Sequence, residues 1–257
     1  MACGAASTSA ASTRTSASRA RSACRSRAPV VAARNSAIVG VLVRTDSHLS
    51  VVKAQIREGQ LTRHAALRFE IGRVFLVATG LGLPRTWQYA MRALTQGFVT
   101  GLEETKEQGR TGNERLLVVA DRARSRLAEA CDQLVERNLP DVAFAALSID
   151  RGELHVVSAG AVRVYLQRAG KPQRLTPRDE SPGGILRSRV AHCGAPLEPG
   201  DLVLAGSATA FSVRAIAQVV TVLSDDARTA PAVIASLLTE PAGQAGAGAA
   251  AAVIRVM

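Results

Sequence analysis

Metal, acid–base and nucleophilic chemistry start from histidine, cysteine and carboxylate side chains, and in this sequence those are scattered. His48, His64, His155 and His192 show no ligand spacing such as HxxxH. Cys3, Cys24, Cys131 and Cys193 form no CxxC pair and read as reduced thiols in a reducing compartment. The neighbours His192 and Cys193 read as loop or strand residues, not as a zinc site. Gly80-Leu81-Gly82 is too short for a dinucleotide fingerprint, and no P-loop or Ser-His-Asp arrangement stands out. Asp150, Asp179, Glu180 and Asp201 fall in turn or loop text and are expected to be solvated. Asp201, which follows Pro199-Gly200, is expected to stabilise its turn. Spacing alone gives no catalytic constellation.

The elements that would position a site are plainer. The densest signal is Asp141 to Arg168, which reads as three antiparallel strands in a meander, buried on both faces and broken at Ser158-Ala159-Gly160-Ala161. Before it come strands over 37–43 and 49–56, a turn at Glu58-Gly59-Gln60, a weaker strand within 61–71 and a buried strand from Arg73 to Ala78. Two long helices follow. Trp87, Met91, Leu94, Phe98 and Leu102 make one apolar stripe, with Pro84 in the first turn and Gly109 closing the helix. Leu116, Ala120, Ala123, Leu127, Ala130 and Leu134 make the second stripe, with Asn113 as N-cap and Asn138 and Pro140 as stop signals. Beyond the meander the pattern predicts a short strand at 173–176, an irregular segment at 177–184 and a turn at 197–201. A buried strand follows at 202–206. Ser212 is expected to cap a helix to about Leu223 with Val213, Ile216, Val219 and Val220 inward. A helix over 227–239, a Gly/Ala linker over 242–248 and a strand over 251–256 complete the chain.

The 257 residues have room for one large domain or two small ones. Hydrophobic residues make up 47% but aromatic residues only 3%, so Ala, Val and Leu must fill the core. The net charge of +11 includes six arginines in residues 1–35, a stretch without acids, which leaves an ordinary +5 for the remainder. This Ala/Ser/Arg-rich tail lacks periodicity and is expected to be disordered. It reads as an unstructured extension or as translated sequence upstream of the true start; an organellar transit peptide is the competing reading. The tail carries no interleaved aromatics, so any nucleic-acid binding by it would be nonspecific and salt-sensitive. No apolar run reaches the ~20 residues that span a bilayer, and a cytoplasmic location is expected.

Four segments, taken in order, carry a family likeness. VFLVATGLG (Val74 to Gly82) resembles a strand ending in ADGMG, and VSAGAVRVYL (Val157 to Leu166) resembles ANVGDSRAYL. RLTPRDES (Arg174 to Ser181) resembles LTxDHS, and LEPGDLVLAGSAT (Leu197 to Thr209) resembles LxPGDxLLLxSDG. The closing AAAAVIRVM sits where DNxTVVVVRV would stand. Together they resemble the PPM-type (type 2C) metal-dependent serine/threonine protein phosphatases over nearly all of residues 37–257. The resemblance implies an α+β fold, an α-β-β-α sandwich of two antiparallel sheets flanked by helices, over residues 36–257.

Active members of that family hold two Mg²⁺ or Mn²⁺ ions on a cluster of Asp carboxylates, and the ions activate a bridging water. At the matching positions this sequence has Thr79 before Gly80, Ala161, Ala208, and Ala249 or Ala250. Arg63 is the best match to the family's phosphate-contacting arginine, with Arg68 replacing a carboxylate. The expectation is therefore a degenerate member, a pseudophosphatase with no catalytic or metal-binding residues and no cofactor. It would act through a protein partner such as a kinase, a phosphatase or a phosphoprotein. Two alternatives stand beside it: an active phosphatase that holds Mg or Mn on other ligands, and an unrelated α+β binding protein with a basic tail.

Overall fold

Val74–Leu81 and Asp141–Asp150 are strands without a polar face, so each needs cover on both sides. A computed structural model of the chain, which describes residues 43–57, 59–71, 73–135, 138–178 and 182–257, shows how that cover is supplied. In chain order the strands are β1 (Thr45–Val52), β2 (Ala54–Ile56), β3 (Gly59–Leu61), β4 (His64–Phe69) and β5 (Val74–Leu81). A 3-10 turn (Pro84–Thr86) leads into α1 (Trp87–Glu107), and α2 (Gly112–Asp132) follows. Then come β6 (Asp141–Asp150), β7 (Glu153–Ala159), β8 (Val162–Arg168), β9 (Lys171–Arg174), β10 (Ala191–Pro196) and β11 (Leu202–Ser207). A 3-10 turn (Ala208–Phe211), α3 (Val213–Asp225), α4 (Pro231–Gln244) and β12 (Ala249–Val256) complete the chain.

Two five-stranded sheets, ordered β1-β12-β11-β8-β9 and β10-β7-β6-β5-β4, are antiparallel throughout; β2 and β3 form a separate ribbon. Between the sheets lies a core of Phe75, Val77, Ala145, Val164, Val203 and Ala252, among others. The outer face of the second sheet packs on α1 and α2 through Leu76, Phe98, Leu116 and Phe144. The outer face of the first sheet packs on α3 and α4 through Phe211, Val219, Ile234 and Val253. The order of layers is helix, sheet, sheet, helix, as the resemblance implied. With so few aromatics, small residues set the spacing: Ala249, Ala250, Ala251 and Ala252 are all fully buried.

Several expectations are corrected. The strand signal from Asp141 to Arg168 does not form a single meander. β6 pairs with β7, but β8 pairs with β11 and β9 in the other sheet. The chain changes sheets at Gly160, whose φ of +78° suits glycine. A Cβ there would also run into Ala143 and the Gly183 carbonyl. Asn113 does not cap α2; Thr111 holds the N-cap position, without a side-chain bond. α2 ends at Asp132, before Leu134 and the stop signals. β10 pairs along β7 in a stretch assigned no strand from sequence. α4 continues past Pro241, so the Gly/Ala linker is shorter than expected. Ser212 caps α3 as anticipated, with the Ala215 N–H donating to its Oγ at 3.2 Å, but the helix is rotated from the expected facing: Val213, Ile216 and Val220 are exposed. Asp201 is 1% exposed rather than solvated. It accepts from Arg168 Nη2 at 2.6 Å and Nε at 2.9 Å and from the Glu198 N–H at 2.8 Å, so it holds its turn as well as the end of β8.

The tail over 1–35, most of the strand over 37–43, and Glu58, Asp179 and Glu180 lie outside the described residues. Among those described, no helix is long and apolar enough to cross a membrane.

Candidate functional site at one end of the paired sheets

Register brings the positions that the sequence resemblance aligned with a metal site to one end of the two sheets. Thr79 in β5 faces His64 of β4 on one side and Ala143 of β6 on the other. Gly160 packs against Ala143, which places the Gly160-Ala161 corner beside the end of β5. In the first sheet, Val162 pairs with Ser207, and Ala208 follows as the strand gives way to a 3-10 turn. Ser207 Oγ accepts from the Ala250 N–H at 3.2 Å, next to Ala249 at the start of β12. Thr79, Gly80, Ala161, Ala208 and Ala249 thus cluster through strand pairing and two tight corners.

The polar groups at this end are few. His64 is 1% exposed. Its Nε2 lies 3.4 Å from the Ala247 carbonyl, which can only accept, so Nε2 carries the proton. Its Nδ1 then accepts from the Thr79 hydroxyl at 3.1 Å. Burial, with a smaller contribution from the Arg63 charge, pushes the imidazole pKa down to about 4 against the Ala247 contact, so the ring is neutral at neutral pH. Arg63 donates from Nε to the Gly80 carbonyl at 3.3 Å and accepts the Gly80 N–H on its own carbonyl at 2.7 Å. Its guanidinium lies 5.1 Å from the Trp87 ring centroid, and burial lowers its pKa. Trp87 is fixed in turn by donating Nε1–H to the Gly82 carbonyl at 3.1 Å.

Two residues that spacing did not single out matter here. His64 is one; its sequence signal was only an isolated histidine. Asp141 is the other, opposite Leu81 in register and 1% exposed. Its carboxylate accepts the N–H groups of Val142, Gly184 and Leu186 at 2.8, 2.8 and 3.0 Å. That clamps the loop after Pro182 to the start of β6, and Arg124 completes the hold by donating to the Ile185 and Ser188 carbonyls. Asp150 lies at the far end of β6, opposite Glu153, away from Thr79. Among the described residues no three His, Cys, Asp or Glu side chains come together as a metal site. His64, Thr79 and Ser207 are already engaged through the His64–Thr79, His64–Ala247 and Ser207–Ala250 bonds, so the half-buried Arg63 guanidinium is the group here suited to contact an anion.

No protein-family model matches the sequence, and no curated protein matches it. Solved structures do. PppA, described as a key regulatory component of the T6SS in Pseudomonas aeruginosa, superposes with a TM-score of 0.66 at 15% identity, over 83% of this chain and 98% of its own. The PPM Ser-Thr phosphatase MsPP from Mycobacterium smegmatis gives 0.61 at 19% identity, over 82% and 98%. The catalytic domain of the phosphatase PstP, solved with two manganese ions, gives 0.64 at 17% identity, over 84% and 99%. The two packed sheets and these likenesses bear out the α-β-β-α fold that the resemblance implied. At such identities the likeness is one of fold, and the fold of this chain is that of the PPM-type serine/threonine phosphatases.

Proposed function

We propose that this chain is a phosphatase-like domain that works by binding a protein partner rather than by metal-dependent phosphoester hydrolysis. The observation that carries this reading is the chemistry at the end of the sheets, where Thr79, Ala161, Ala208 and Ala249 supply one hydroxyl and three methyl groups. Mg²⁺ and Mn²⁺ need hard oxygen ligands, several of them charged, to replace lost hydration. Thr79 already bonds His64, and the Arg63 guanidinium nearby repels a cation. The residues at these positions do not fit a pair of divalent ions. What they fit is a phosphate or carboxylate on a partner, with Arg63 as its contact. A kinase, phosphatase or phosphoprotein of a signalling pathway has that chemistry, and the regulatory description of PppA supports such a role.

The test is hydrolysis of a phosphoserine peptide by the full chain with Mn²⁺ added, paired with a melting curve. A ligand that binds only the native state adds about 2.7 kcal/mol at a hundred times its Kd. We expect no metal-dependent phosphate release and a melting temperature that Mn²⁺ leaves unchanged. Release of phosphate that a chelator stops, with one or two equivalents of bound Mn²⁺ by elemental analysis, would establish the active reading instead, with the ions held by residues other than Thr79, Ala161, Ala208 and Ala249.

A further inference from the structure

The Arg63 guanidinium is under-used. Its Nε bonds the Gly80 carbonyl, while Nη1 and Nη2 have no partner among the described residues. The group is half-buried over the Trp87 ring, so it has given up part of its hydration without gaining an anion. With Nε taken, what it presents is the end-on fork of Nη1 and Nη2, which matches the two oxygens of one carboxylate.

Beside it lies an apolar recess. Between the β2–β3 ribbon and the turn at Pro84–Thr86 is a cavity of about 460 Å³ walled by Ile56, Leu61, Leu83 and Pro84; the charged residues on its wall, Arg57 and Arg85, are both cationic. The recess and the guanidinium share their supports. Leu61 precedes Arg63 in the same connection, and the turn runs directly into Trp87, whose Nε1–H closes it on the Gly82 carbonyl. Acids are scarce in the chain that builds this corner: from Ile71 to Leu102 there are Arg73, Arg85 and Arg92 and no Asp or Glu. Asp141, opposite Leu81, is buried and bonded to three N–H groups.

The placement of the cations says which anion fits. Arg57 and Arg85 line the recess, whereas Arg63 stands outside it over Trp87. A phosphate is best held by guanidinium groups that converge on one point. Guanidinium groups set apart beside an aliphatic socket suit separate carboxylates spaced along an extended chain.

We propose that this corner docks an acidic linear segment of a partner protein, with a Leu, Ile or Val side chain seated in the recess against Leu61 and Leu83, and Asp or Glu residues on either side of it meeting Arg57 and Arg63. The inference rests on the reading that this end of the sheets binds rather than hydrolyses, and it names what is bound.

Selection of a random peptide library, displayed on phage, against the full chain tests it. Enriched peptides should share an aliphatic residue with Asp or Glu within about three positions on each side. The tightest of them, fluorescently labelled, should bind Arg57→Glu and Arg63→Gln about tenfold more weakly than wild type. Replacing its aliphatic residue by serine should cost about tenfold as well. Arg57 is exposed, so Arg57→Glu keeps the fold whatever Arg63→Gln does to the melting temperature. No enrichment, enriched peptides that lack either feature, or an affinity that Arg57→Glu leaves unchanged overturns the proposal. So does a gain of about tenfold when an acid of the peptide is replaced by phosphoserine, which would assign the corner to phosphate. Mn²⁺-dependent phosphate release is a separate failure: it overturns the binding-only reading, while the library still decides the recess.

Discussion

His64 shows what burial does to one residue. It neutralises a side chain that in the unfolded chain takes up a proton near pH 6.5, and in the fold the pKa is about 4. Between those values the unfolded state binds the proton and the native state does not. The stabilising contribution is complete above about pH 6.5 and is lost as pH falls toward 4, by up to about 3 kcal/mol. Urea midpoints measured from neutral pH down to about pH 4 should fall more steeply for the wild type than for His64→Gln. Equal slopes would mean that the ring is not held neutral. Such a role cannot be read from spacing, because an isolated histidine looks alike whether it is buried or solvated. The same holds for Asp141 and Asp201. Each is an acid beside a turn in the sequence, and only tertiary structure brings Asp141 the Gly184 and Leu186 N–H groups, and Asp201 the Arg168 guanidinium, that justify burying them.

At the scale of elements, the sequence was legible where a pattern reports on one neighbour and poorly so where it depends on two. The stripes of α1 and α2 gave the helices, and the apolar run of β5 gave a strand covered on both faces. Whether β8 stays with β7 or leaves for the other sheet is not encoded in its alternating pattern, which serves equally in either sheet. For α3, Val213, Ile216 and Val220 satisfy a helical period, but a period does not state which apolar residues the core receives. The seam between α1 and α2 was also silent in the sequence. Gly97 and Gly101 bring the helix backbones together, and a Cβ at Gly97 would lie 2.6 Å from the Ala123 Cα. Gly97→Ala gains helix propensity but must part the helices, so we expect a net loss of about 1–3 kcal/mol by chemical denaturation. A gain would show that the seam relaxes without cost.

At the scale of the whole molecule, four weak motifs in the right order identified the fold, because order and spacing constrain topology more than any single match does. The residues proposed for the sheet end were found through that topology and not through chemistry of their own. Their function rests on whether the chain releases phosphate from a phosphopeptide and whether it binds Mn²⁺. The placement of β12 has a further consequence, and it concerns time. β12 lies between β1 and β11, so the first sheet is divided until it inserts, and its partner β1 is about 200 residues away along the chain. β6 and β7 are joined by a two-residue turn at Arg151 and Gly152 and can pair early. Folding should therefore be staggered, with the helix-covered second sheet forming first and exposing its inner face to water and to other chains while it waits. Pulse-labelled hydrogen exchange during refolding should protect β6 and β7 amides before those of β12; simultaneous protection would rule out the delay. The fully buried alanines of β12 are then also among the last to leave solvent.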